Sequence, residues 1–464
     1  MAEVSKRTRT AIYLMMLGSF LGSINQTILS PALPSIMADL HIDASAGQWL
    51  TTIFLLVNGI MIPCTAYLMA RFTTRQLYLA AMTLFAVGTL LCGLAHTFVL
   101  LLLARVLQAM GFGVLMPLLS GTVLMVYPPN QRGKAMGMIG LVFSIAPAIG
   151  PSIAGFVIDA YGWNVVFLGL VPLIVIDIIL SAVIMPNTGE THHIDLDKTS
   201  VLLSTLGFGG LLYGFSSVGS YGWTSAHVYV PLLAGALITY FFIKRQSKLE
   251  TPLLRFDAFK SQRFTIGLII GMIINAALLF GGVLTPIYLQ DIHGYSVLWS
   301  ALIMLPASLL AAALNPVVGG LYDKIGARPL GILGLILLTI GSGCYLFFRA
   351  QTETWVLVTL YTIRILGINL VMMPINTWSM SDFTGEIIPH ANAVFATLRQ
   401  IAGSVGTAIF VSIYSVASYT SDSLTGIHAA FGASAVMMIC AVILAILKIE
   451  KKPKNLGSDE SAPC

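Results

Sequence analysis

Residues 98–155 read FVLLLLARVLQAMGFGVLMPLLSGTVLMVYPPNQRGKAMGMIGLVFSIAPAIGPSIAG. Two apolar helices are legible there, joined by a short polar turn, Pro128-Pro129-Asn130-Gln131-Arg132-Gly133-Lys134. The first helix carries Arg105 inside a run of Leu, Val, Ala and Met. A cation is costly in hydrocarbon, so Arg105 is expected to face a partner or a wet cavity rather than lipid. The second carries Ala146-Pro147-Ala148-Ile149-Gly150-Pro151-Ser152-Ile153-Ala154-Gly155. Its prolines and glycines weaken the hydrogen-bond ladder and leave small surfaces for close helix contact.

The whole chain has this character. Apolar residues make up 57% of its 464 residues and charged residues 9%, with a mean hydropathy of +0.89. A soluble domain carries about 25% charged residues. The net charge of +5 is not a nucleic-acid footprint, because the basic residues lie between apolar runs instead of forming one patch. Of five cysteines, Cys64, Cys92, Cys344 and Cys440 fall in apolar segments without metal-ligand spacing, as small core residues do. Lys6, Arg7 and Arg9 precede a first apolar run too long for a signal-peptide core.

A membrane span takes about 20 apolar residues. Fourteen such runs are expected, at 11–33, 46–70, 77–96, 98–125, 134–158, 163–185, 199–218, 227–244, 263–287, 297–319, 328–348, 355–377, 392–416 and 427–447. The basic residues orient them. With the N-terminus inside, Arg105, Arg364 and Arg399 lie within spans, and of the remaining Lys and Arg only Arg349 falls outside. Both termini are therefore expected in the cytoplasm of a plasma-membrane protein.

A repeat runs through the chain. Arg105-Val106-Leu107 and Gly113-Val114-Leu115-Met116-Pro117 of the fourth span echo Arg364-Ile365-Leu366 and Leu370-Val371-Met372-Met373-Pro374 of the twelfth. Ala66 to Arg71 likewise echoes Gly319 to Lys324. These pairs predict two six-helix bundles, 1–185 and 263–447. Two extra transmembrane helices with a linker fill 186–262, and 448–464 forms a cytoplasmic tail.

At these residues the chain resembles the major facilitator superfamily, and within it the fourteen-span drug:proton antiporter family. The loop motif Gly-x-x-x-Asp-Arg/Lys-x-Gly-x-Arg/Lys is intact as Gly319, Asp323, Lys324, Gly326 and Arg328. In the first half it is degraded, with Ala66, Ala70 and Thr73 in place of the two glycines and the aspartate. Arg105 and Gln108 match the Arg-x-x-Gln motif, and Gly150, Pro151 and Gly155 the antiporter motif of the fifth span. Where the family often reads Leu-Asp-x-Thr-Ile-Val, this chain reads Ile24-Asn25-Gln26-Thr27-Ile28-Leu29, an amide for a carboxylate. The pattern is most similar to the lincomycin-exporter subgroup of Gram-positive bacteria. The resemblance implies an all-α polytopic major-facilitator fold and proton-coupled drug efflux by alternating access. Export of a lipid precursor, peptide or metabolite is the alternative.

Depth arithmetic places Asn25 about 21 Å from the inner end of its span and Arg105 about 10 Å from the outer end of its own. In a core about 30 Å thick the two reach one level, so an Asn25–Arg105 clasp is expected, either as a gate or as a helix tie. Arg364 shares that reading by repeat. Gln26, Gln108, Asn275, Asn369 and Asn376 could line a substrate cavity or bond helix to helix. Arg399 near the inner end of its span could snorkel. Asp323, with Lys324 and Arg328, is expected to pair with arginines at neighbouring helix ends in one conformation and release them in the other. Asp177 is the one acid well inside a span, suited either to carrying a proton or to tying helices together. No metal cluster, nucleophile pair or nucleotide loop appears, so neither an enzyme nor a cofactor is expected. The expected partners are a small drug-like substrate, protons and the lipid bilayer, with the chain acting as a monomer.

Overall fold

The structure is a computed structural model that describes residues 5–42, 44–128, 131–187, 197–249, 252, 254–383 and 387–450. Pro129, Asn130 and the expected tail from 451 onward lie outside the described residues. Apolar runs of this length hide their peptide groups from lipid by closing hydrogen bonds within themselves, which means helix. Fourteen α-helices follow one another: α1 Lys6–Asp39, α2 Ala44–Arg71, α3 Thr74–Gly93, α4 Phe98–Val126, α5 Arg132–Tyr161, α6 Trp163–Ile184, α7 Lys198–Tyr221, α8 Ala226–Gln246, α9 Gln262–Ile287, α10 Val297–Ile325, α11 Ala327–Gly343, α12 Thr354–Ser379, α13 Ile387–Thr420 and α14 Ser423–Lys448. Twelve are long and apolar enough to cross a membrane over their described residues. Of the other two, α2 holds a shorter apolar stretch, Trp49–Thr65, and α5 runs for 30 residues.

The packing repeats with the sequence. In the first half α1 lies on α5 and α6, α2 on α4, and α3 on α4 and α6. In the second half α9 lies on α13 and α14, α10 on α12, and α11 on α12 and α14. The halves meet along two seams, α5 against α10 and α2 against α13. The α7–α8 hairpin covers the second seam, touching both α2 and α13. Trp49 stacks on Tyr213 at 5.7 Å, and the Trp223 indole N–H donates to Ser412 Oγ at 2.7 Å.

Asp197 holds the start of that hairpin. It caps α7 through the Thr199 amide and accepts Arg245 Nε at 2.7 Å and a second guanidinium nitrogen at 2.9 Å. Arg245 and Ser200 keep its carboxyl down at about 2, below the ordinary 3.8. A depressed carboxyl stabilises above its unfolded pKa, so this tie holds at neutral pH and is lost only as the pH falls through about 2.

The odd-numbered helices begin, and the even-numbered helices end, at the face that carries most of the Lys and Arg, here called the basic end. Because α13 starts at Ile387 and runs for 34 residues, Arg399 lies about twelve residues in, roughly 18 Å along the axis.

Candidate functional site

Arg105 is 1% exposed, and its charge is answered wholly by neutral groups. It donates to Asn25 Oδ1 on α1 at 3.1 Å, to Gln108 Oε1 one turn along α4 at 2.8 Å, and to the Leu50 carbonyl of α2 at 3.3 Å. The guanidinium lies 4.2 Å from the Phe54 ring centroid, where the π face attracts a cation. Gln108 is oriented in turn by donating to Thr89 Oγ1 at 3.0 Å. Three helices of the first bundle are thus joined by one side chain. Thr89 and Phe54 carry no mark in the sequence that sets them apart from other span residues.

Its repeat partner is built differently. Arg364 is fully buried, donates to the Ala277 carbonyl, and lies 5.4 and 5.6 Å from the Phe280 and Phe431 rings. Its Nε has no partner among the described residues. Asp177 is also fully buried, on α6 facing α1 and α3, where its Oδ2 meets the Tyr78 hydroxyl at 2.6 Å. The same hydroxyl donates to the Leu14 carbonyl at 2.9 Å.

The halves are locked at the basic end. Asp323, in the last turn of α10, accepts the backbone N–H of Gly133 and of Lys134 at 2.8 Å each, one to each carboxylate oxygen. These are first-turn amides of α5, which have no partner inside the helix and favour an anion. The arginine partners expected from sequence are thus joined or replaced by backbone donors. Further in, Asn315 donates to Ser144 Oγ at 2.9 Å and Asn392 to Ser120 Oγ at 2.8 Å. An apolar core crosses between the halves at this end, with Phe264, Phe383 and Phe395 joining Leu124, Met136 and Ile139. At the opposite end the cores stay separate, one around Ile36, Leu50 and Trp163 and another around Tyr288 and Phe348.

The close approach of α5 and α10 depends on glycine. A Cβ at Gly319 would collide with the Gly133 carbonyl and sit 3.1 Å from the Gly137 Cα, whereas one at Gly320 meets nothing within 4 Å. Gly319→Ala is therefore expected to lower cross-linking across this seam several-fold, with Gly320→Ala unchanged. Equal yields in both variants would show that the seam does not need the glycine.

The other expected residues scatter. Asn25, Gln108 and Arg364 have no open surface in this conformation, so they tie helices within their own halves. Gln26 keeps open surface, as does Asn369, which donates to the Ile365 carbonyl of its own helix at 3.0 Å. Asn275 donates to the Arg399 carbonyl at 2.9 Å, and Asn376 is buried with Oδ1 unpartnered among the described residues. Lys324 is exposed, and Arg328 donates to the Ile446 carbonyl at 3.1 Å. Gly150 lies against Thr27, which seats α5 on α1, while Gly155 has nothing within 4 Å. The Pro151 side chain is outside the described set.

The sequence profile of the Major Facilitator Superfamily matches residues 15–407. The chain belongs to that superfamily. It is 39% identical over 456 residues to the uncharacterized MFS-type transporter YcnB of Bacillus subtilis, covering 97% of this chain and 96% of the relative. To the lincomycin resistance protein LmrB of the same organism it is 37% identical over 401 residues, 86% of this chain and 84% of that one. Among solved structures it superposes on the superfamily's proton:xylose symporter XylE with a TM-score of 0.65 at 15% identity, covering 97% of both chains. The superfamily member is thus a multi-pass membrane transporter of all-α fold.

Proposed function

We propose that this chain is a secondary active exporter that moves amphipathic, drug-like molecules out of the cell in exchange for protons. In this reading all fourteen helices span the membrane and both termini are cytoplasmic. Residues 1–185 and 263–447 are the bundles that rock, and the basic end faces the cytoplasm. The observation that carries it is the one-ended seal. Bundles joined by Asp323 and an apolar core at one end, with separate cores at the other, form one of the two states alternating access needs. Likeness to a lincomycin resistance protein supports a lincosamide-like substrate. Expression in a susceptible bacterium should raise the lincomycin concentration needed to stop growth. No shift for lincomycin or for any of a panel of amphipathic antibiotics would overturn the drug reading.

A proton count supports Asp177 as the coupling group. Tyr78 has one hydroxyl proton, and the Leu14 carbonyl can only accept it. Both Tyr78 contacts are hydrogen bonds at once when Asp177 is protonated and donates to the tyrosine oxygen. Asp177→Asn is expected to keep substrate binding and lose export driven by a pH gradient, measured as proton-driven uptake into inverted vesicles. Undiminished uptake would remove Asp177 from the mechanism.

A further inference from the structure

Three arginines lie within the apolar spans, Arg105, Arg364 and Arg399, and the protein answers two of them. Arg105 has two amide oxygens, a carbonyl and a ring, and Arg364 has a carbonyl and two rings. Arg399 has none of these. No hydrogen bond, ion pair or ring contact among the described residues reaches its guanidinium, and burial is the one influence acting on its charge.

Its position is the seam between the bundles. The Arg399 carbonyl accepts from Asn275 of α9, and the next residue, Gln400, comes within 3.9 Å of where a Cβ on Gly59 of α2 would stand. So α13 stands here between its own bundle and the other. The arginine is deep among the helices yet keeps part of its surface open. Asn58 on α2, about 20 Å from the basic end, is at the same level, half-buried and without a side-chain partner among the described residues. Met61 on α2 and Met272 on α9 are partly open about 15 Å from the basic end, and Met373 on α12 about 9 Å from it. The helices packed on α13 offer no carboxylate at this level. Asp177, the acid inside a span, is on α6 and occupied with Tyr78.

An unpaired guanidinium in a low-dielectric interior is unfavourable, and its planar fork fits carboxylate or phosphate oxygens two at a time. We propose that Arg399 is an anion-binding centre for the transported molecule at the seam between the bundles. It takes the carboxylate or phosphate group of an amphipathic substrate whose apolar part rests on the three methionines. This rests on reading the chain as a transporter of amphipathic molecules. A bound anion makes the loaded site neutral, so the bundles would then rock without carrying a buried charge.

The test is equilibrium binding to the full chain in nanodiscs of phosphatidylcholine, using dansylaminoundecanoic acid and its methyl ester, which differ only in the charge of the head. The wild type is expected to bind the acid about tenfold or more tighter than the ester, in line with a charge-assisted pair. Arg399→Gln should bring the acid down to the level of the ester, and Arg399→Lys should keep part of the preference. Equal wild-type affinities overturn the proposal, and that comparison needs no variant to fold. An acid preference that survives Arg399→Gln overturns it as well, by placing the anion elsewhere. The growth assay on lincomycin reads export with no anionic head involved. Failure there with the acid preference intact strikes the efflux reading and leaves the subsite standing.

Discussion

Replacing Arg105 by alanine is expected to destabilise the first bundle by about 3 kcal/mol, the order for stranding buried neutral acceptors. The reason is what it leaves behind. Asn25 Oδ1, Gln108 Oε1 and the Leu50 carbonyl lose their donor together, in a place water does not replace it. A buried acceptor so stranded costs about 1–3 kcal/mol, and the space beside Phe54 adds to it. Arg105→Lys keeps the charge but offers a single point of donation, so it should satisfy some of these acceptors and lose less. Thermal unfolding of the detergent-purified protein, followed by fluorescence, measures the stability, and vesicle uptake measures transport. If lysine proves as damaging as alanine, the fork geometry is decisive and not the charge.

Asp323→Asn is expected to act on the balance between conformations and leave the folded bundles intact. Asparagine keeps one acceptor oxygen but loses the second and the charge that faces the first turn of α5. Loss of a charge-assisted bond and of the helix-terminus attraction together weakens the sealed state by about 2 kcal/mol, roughly a 30-fold change in its ratio to the open one. Cysteines introduced as Lys134→Cys and Lys324→Cys flank this contact at exposed positions. Their cross-linking yield should fall in the Asp323→Asn background. Transport should slow while substrate affinity changes little. Equal losses of binding and transport at normal expression would move Asp323 out of the gate and into the substrate site.

These two sites differ in how far the sequence reached them. A hydrocarbon slab imposes length and apolarity on every crossing segment, and helix rise converts position into depth. The helical class, the repeat about Arg105 and Arg364, and the common level of Asn25 and Arg105 were therefore written in one dimension. What a side chain faces was not. In a membrane protein the lipid face and the packed face are both apolar, so the hydropathy pattern hardly marks how each helix is rotated. That rotation, set only when fourteen helices pack, sealed Arg105 against Phe54, placed Asp177 on Tyr78 and left Arg399 alone at the seam. The partners of Asp323 were hidden for a second reason. They are peptide N–H groups at Gly133 and Lys134, which nearly every residue carries, and only the tertiary approach of α5 to α10 turns them into a latch.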